Sequence, residues 1–310
     1  MEGGKVSKGI EIVTLTRIEG ANLNSNGTEG VISVLKKIRD PLDMKEYVRV
    51  SGQSLKFHLK EVMRDALGEE LSPISKRRGE RGEGSVLVSE GKPEKYIDDD
   101  LFGYMLAGKP TLKRTAPVRT NGLISLFPYQ EDRDFGVRYD PSGEEEHNIH
   151  ETEISTNIMR GNFFIEVDRV GVFVKGEVEK PSTLDKSERE RRIRSLFEAI
   201  LTYHGGGHLS RFFTKVYPEA VVVVFLKRKI PIVGDNLRLR QETKDGKYFM
   251  DVPLLSEVLK TFEEYIDCVY IGILENKFAN LDEIKSLAND KIHVMSLREL
   301  KEALKGQPIV

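Results

Sequence analysis

A chain of 310 residues with 39% apolar side chains and 27 glycines has the material for one large domain or two medium ones, which excludes wholesale disorder. A net charge of −2 excludes a polyanion binder whose positive charge covers the whole surface, while 32% charged residues leave room for local basic patches and hint at a heat-adapted source. The single cysteine, Cys268, excludes an intramolecular disulfide framework and a cysteine zinc site, and fits a reducing, cytoplasmic setting.

Residues 9–18 are rich in β-branched side chains and predict a first strand. Residues 22–30 follow as a polar loop of Asn and Gly. A short strand over 47–50 leads into a helix, in which Leu55, Leu59, Val62, Met63, Ala66 and Leu67 recur at helical spacing; Ser51 or Ser54 can cap it and Gly68 can stop it. Residues 72–153 lack such periodicity and hold six of the twelve prolines. They are expected to be inserted segments on a core made of residues 1–71 and 154–310, because an uninterrupted loop of that length is foreign to a compact domain.

Regular structure resumes at 162–174, a strand or hairpin, and at 185–203, a helix with Ile193, Leu196, Phe197, Ile200 and Leu201 on its core face and Gly205 at its end. The unbroken apolar run 220–226 predicts a fully buried strand. The tail alternates: helix at 254–262, strand at 268–274, helix at 281–289, strand at 292–295, helix at 297–304. The expected class is α+β, with a sheet covered mainly on one face. The longest apolar run has seven residues against the ~20 of a spanning helix, and the first five residues carry no apolar signal region, so neither a membrane span nor secretion is expected.

Catalytic signals are sparse. His147 with His150, and His204 with His208, have the look of metal pairs, but neither has a third ligand nearby. Asp98, Asp99 and Asp100 could hold magnesium, although adjacent strand residues point in opposite directions. No nucleophile elbow or phosphate loop of the Walker type occurs.

Polyanion binding has more to offer. Ser51, Gly52, Gln53 and Lys56 lie where a strand enters a helix, and the free N–H groups of a helix start favour phosphate. Gly205, Gly206 and Gly207, followed by His208 and Arg211, imply that something passes close to the backbone. Lys76, Arg77, Arg78 and Arg81 form one basic knot; Lys227, Arg228, Lys229, Arg238 and Arg240 form another, and residues 131–153 are strongly acidic. Arg160, Gly161 and Phe164 match part of an RNA-recognition strand pattern, yet Phe163 and Phe164 read more naturally as core.

Three segments together carry a family resemblance: the Asn-rich loop 22–30, the helix start 51–58, and residues 96–105 around Asp98-Asp99-Asp100. In this order and spacing the chain resembles the DevR-type backbone subunit of type I CRISPR interference complexes, Cascade, over about residues 10–230. The resemblance implies a modified RNA-recognition-motif palm, ferredoxin-like, with finger and thumb insertions drawn from 72–153. It implies copies stacked along the guide RNA (crRNA) that hold its backbone and present it to target DNA. Other Cascade subunits, one at the crRNA 5′ end and one large, would be partners. It places Asn22, Asn24, Ser51, Gly52, Gln53 and Lys56 at the RNA groove, with Gly205, Gly206, Gly207, His208 and Arg211 as the other wall. Lys76, Arg77, Arg78 and Arg81 become candidate thumb contacts. No catalytic residue, metal or cofactor is implied: related type III subunits cut RNA with an aspartate after the first strand, where this chain has Asn22, Asn24 and Asn26. Two competing readings are a metal-dependent endoribonuclease of the same fold class, using Asp98, Asp99, Asp100 or a histidine, and a transcriptional regulator bound to one duplex operator.

Overall fold

The β-branched run near the N-terminus folds into a long strand, Gly9–Ala21 (β1). The computed structural model, which describes residues 7–78, 85–138 and 148–310, builds an eight-stranded sheet around it. The other strands are Lys37–Arg39 (β2), Glu46–Val50 (β3), Val118–Ser125 (β4), Ser155–Glu166 (β5), Ala220–Leu226 (β6), Ile266–Ile273 (β7) and Ile292–Ser296 (β8). Their order is β8-β7-β6-β1-β5-β4-β3-β2, antiparallel throughout except between β7 and β8.

The helices are Gly52–Asp65 (α1), Ile97–Phe102 (α2), Lys186–Leu201 (α3), Val252–Thr261 (α4), Leu281–Lys285 (α5) and Leu297–Gly306 (α6). Helices α1 and α3 cover one sheet face. Leu55, Leu59 and Met63 of α1, with Ile193, Leu196 and Phe197 of α3, pack on Ile10, Ile12, Phe163 and Val223. The path β1–α1–β4–β5–α3–β6 leaves the middle of the sheet in the order β6-β1-β5-β4.

The expectation of a sheet covered mainly on one face is corrected. Leu237, Tyr248, Met250, Leu255 and Leu259, from the hairpin Leu239–Lys244/Lys247–Met250 and its flanks, cover Val13, Leu15, Val222 and Val224 on the opposite face. This is why every residue of β6 is buried: a strand apolar on both sides needs a layer on both sides. Glu11 locks part of that layer. Its buried carboxylate accepts the N–H groups of Ile232, Val233 and Gly234 at 2.7, 2.9 and 2.8 Å.

Two further corrections concern the middle of the chain. Residues 118–125, inside the segment read as inserted, are the core strand β4, disguised by the polar Arg119, Thr120 and Asn121 and by a bulge at Gly122. The loop 22–30 contains a strand, Ser25–Glu29, paired with Ile32–Leu35; together with Arg133–Arg138 and Asn148–Glu153 they form a separate four-stranded sheet. The helix expected over 281–289 stops at Lys285, since the Asn289 side chain accepts the N–H groups of Lys291 and Ile292 and turns the chain into β8. Among the described residues, no helix is long and apolar enough to cross a membrane.

Candidate functional site

Ser51 is the N-cap of α1, with extended backbone and an Oγ that accepts the Ser54 N–H at 3.3 Å. Its own N–H donates to Asn24 Oδ1 at 2.9 Å, tying the segment after β1 to the helix start. Gln53 is exposed and Lys56 half-buried, one turn into the helix. Among the described residues no carboxylate pairs with Lys56. Burial, and after it the neighbouring Lys60, pushes the Lys56 amine below the usual lysine pKa. Lys56 Nζ lies 5.9 Å from the ring centroid of Phe102, and Lys60 Nζ lies 5.8 Å from the same ring. Lys60 also pairs with the buried Asp98 Oδ2 at 3.0 Å.

The triple glycine meets this helix start directly. A side chain at Gly205 would overlap His58 of α1, and one at Gly206 would come within 2.7 Å of Leu23 Cδ2. Gly207 donates its N–H to the Leu23 carbonyl at 2.8 Å. What passes close to these glycines is therefore the chain itself. The same correction applies to Gly52, where a Cβ would stand 2.7 Å from the Thr120 carbonyl oxygen of β4. Asn22 is likewise corrected from RNA contact to internal strut: it is fully buried, donating to the Glu153 carbonyl at 2.9 Å and accepting from Ser25 Oγ at 3.1 Å. His208 is exposed, with φ 54° and Nε2 3.2 Å from Ser25 Oγ. Arg211 pairs with Asp134, approaches Thr152 Oγ1 at 3.3 Å and lies over the Phe212 ring. It links this loop to the separate four-stranded sheet.

The three predicted segments thus converge, but packed on one another. The surface they leave open carries Ser51, Gln53, Lys56, Lys60, His208 and the exposed Phe57. Sequence reasoning missed Lys60, whose spacing of four from Lys56 on one helix was an available signal. Of the basic knot, Lys76 is exposed on the hairpin Ser75–Arg78/Ser85–Val88, which also carries the backbone of Arg77 and Arg78; Arg81 lies outside the described residues. Phe163 and Phe164 are buried core.

The three aspartates do structural work. Asp98 accepts the Ser72 N–H at 2.8 Å besides Lys60, and Asp99 accepts the Lys92 N–H at 2.9 Å. Asp100 accepts from Arg192 at 2.8 Å, from Arg114 and from the Gly171 N–H at 3.0 Å. All three are buried, both carboxylate oxygens of Asp98 and Asp100 and one of Asp99 are taken by protein donors, and this corrects the reading of the run as a metal-holding catalytic cluster. His204 Nδ1 stands 2.9 Å from the Thr202 carbonyl, and His147 lies outside the described residues. No three metal-type ligands converge among the described residues.

The family model described as CRISPR-associated negative auto-regulator DevR/Csa2 matches residues 12–242. No curated protein matches the chain significantly. Among solved structures, a chain of a pre-nicking CRISPR RNA-guided surveillance complex superposes with a TM-score of 0.65 at 14% identity, over 96% of this chain and 98% of that one. A chain of another CRISPR RNA-guided surveillance complex superposes with a TM-score of 0.63 at 17% identity, over the same 96% and 98%. At these identities the likeness is one of fold.

Proposed function

The chain belongs to the CRISPR-associated DevR/Csa2 family, and from that premise we propose that it is a non-catalytic guide-RNA-binding subunit of a type I Cascade complex. Copies would line up along the RNA backbone in the cytoplasm and present the guide to target DNA, alongside the large subunit and the subunit at the crRNA 5′ end. The path β1–α1–β4–β5–α3–β6 with order β6-β1-β5-β4 supports an RNA-recognition-motif-like palm, since this is the ferredoxin-like arrangement. The observation that carries the binding role is Lys56, a cation without a protein counter-charge among the described residues, beside the free N–H groups of the first turn of α1. Such donors grip backbone rather than bases, as a subunit that must accept any guide requires.

In this reading Ser51, Gln53, Lys56 and Lys60 contact phosphate, Asn24 and His208 line the rim, and Arg211 joins them by exchanging Asp134 for RNA. Lys76, Arg77 and Arg78 belong to the thumb. The occupied aspartates give the endoribonuclease reading no support.

The test is binding of fluorescent single-stranded RNA and duplex DNA, over several sequences and salt concentrations, with and without magnesium, followed by gel analysis of the RNA. Sequence-tolerant, salt-sensitive RNA binding with intact product is expected, and Lys56→Ala should flatten the log–log salt dependence by about 0.7, one single-strand phosphate contact. Magnesium-dependent fragments would replace the proposal with the nuclease. Tight binding to a single duplex sequence would replace it with a regulator.

A further inference from the structure

On the sheet face turned away from α1 and α3, Arg49 of β3 stands opposite Ile124 of β4, which stands opposite Arg160 of β5. Arg160 in turn faces Leu15 of β1, whose burial under the tail fixes which face this is. Residues directly opposite share a face, and strands lie about 4.8 Å apart, so Arg49 and Arg160 are separated by roughly 10 Å.

A third arginine joins them. The Glu11 carboxylate holds residues 232–234, which sets Asp235 against the sheet. The Asp235 carbonyl accepts from Arg160 Nη1 at 2.9 Å and from Arg238 Nε at 2.9 Å, so two guanidiniums crowd one oxygen. Burial lowers the Arg160 pKa, with Arg238 acting in the same direction and Asp235 against it. Tyr47, two residues before Arg49 on the same strand face, gives its hydroxyl to Asp43 at 2.6 Å.

The counter-charge is thin. Asp235, itself 74% exposed, pairs with Arg160 at 3.1 Å. Among the described residues no carboxylate pairs with Arg49 or Arg238, and the Arg49 Nε is buried without any acceptor. A desolvated guanidinium N–H left unpaired costs stability and calls for a partner. A ligand with several anionic oxygens, able to take forked donors from more than one side, meets that demand.

We propose that Arg49, Arg160 and Arg238 hold a phosphate of a nucleic-acid backbone at the β3–β4–β5 end of this sheet face, as a contact separate from the helix-start groove. The choice of nucleic acid over another phosphate carrier rests on the function proposed above; the oxyanion site rests on the arginines alone.

Two measurements test it. The first is RNA binding over a salt series by the full chain, by Arg49→Gln, by Arg238→Gln and by both together, with Lys56→Ala as a reference for the other groove; Arg160 is left intact because it also anchors residues 235–237. Each arginine variant should flatten the log–log slope by about 0.7, and the double variant no further than either single one, because one phosphate is shared. Lys56→Ala should add to Arg49→Gln. Repeating the series with complementary DNA annealed to the RNA identifies the source: a change present with RNA alone assigns the phosphate to the guide, and one that arises only after annealing assigns it to the target strand. The second is titration of the full chain with inorganic pyrophosphate, read on the Arg49 Nε–H resonance assigned by its loss in Arg49→Gln. A saturable shift of that resonance is expected. If the chain binds no RNA yet the shift occurs, the oxyanion site stands and the guide-binding function falls. Unchanged slopes in both single variants together with no shift overturn the site.

Discussion

Lys56 and Lys60 of α1 share one aromatic ring. Their ammonium groups lie 5.9 and 5.8 Å from the centroid of Phe102, which arrives from α2, and Asp98 at the start of α2 pairs with Lys60 at 3.0 Å. One short helix therefore supplies a π face to both cations and a carboxylate to one of them. Lys60 is fixed by its pairing with Asp98, whereas Lys56 has no carboxylate partner among the described residues and keeps its whole charge for the proposed RNA phosphate. The run 97–102, singled out by its three acids, acts as the scaffold beneath the proposed groove.

Holding Lys56 this way costs the free chain. Burial and Lys60 lower its pKa, so the folded chain binds that proton less tightly than the unfolded one. The penalty is fully present below the folded pKa and is relieved as pH rises through it towards the unfolded value near ~10.4. Lys56→Met should therefore raise the urea midpoint at pH 7 while weakening RNA binding, and its stability advantage should shrink towards pH 10. Equal loss of stability and affinity at pH 7 would show Lys56 to be a structural cation instead.

Phe102→Leu keeps the bulk and removes the π face. Each exposed cation–π contact is worth about 0.5–1 kcal/mol, so RNA affinity should fall about two- to fivefold. The Lys56 ammonium, losing a stabilising neighbour, should titrate at still lower pH when followed by NMR. A fall in affinity with no change in the Lys56 titration would mean that the variant had only loosened α2.

The parts of this fold that were legible are those whose signal is local. The spacing of Leu55, Leu59, Val62 and Met63 located α1, and the apolar run located Ala220–Leu226 to the residue. Strand β4 was hidden because Arg119, Thr120 and Asn121 are polar and a bulge at Gly122 breaks the alternation. In the proposed site, Ser51 and Lys56 are the candidates that the helix start itself marks. Asn22 was misread because an Asn after a strand looks the same whether its amide meets RNA or, as here, a buried carbonyl. Phe102 beneath Lys56, and Arg49 in line with Arg160, depend on packing and strand register between distant segments, which no local pattern encodes.

Asp100 separates the structural from the catalytic reading of its cluster. Its side chain is fully buried between Arg114 and Arg192 and also receives the Gly171 N–H. Removing one partner of a buried ion-pair network leaves uncompensated charge, so Asp100→Asn should destabilise the chain by about 3–5 kcal/mol in urea unfolding. A variant with wild-type unfolding that had lost a magnesium-dependent RNA cut would restore the catalytic assignment.

Gly52 tests whether the helix start itself is the binding element. A Cβ there would lie 2.7 Å from the Thr120 carbonyl oxygen, which is backbone and cannot swing aside. Gly52→Ala must push the first turn of α1 away from β4, and overpacking of this kind costs about 1–3 kcal/mol. The displaced turn carries the Ser51 cap and the free N–H groups, so RNA affinity should fall even in conditions where the variant is fully folded. Gly306→Ala, where nothing lies within 4 Å of the added methyl, is the matched control and should leave both properties unchanged. RNA binding by folded Gly52→Ala equal to wild type would remove the first turn of α1 from the site.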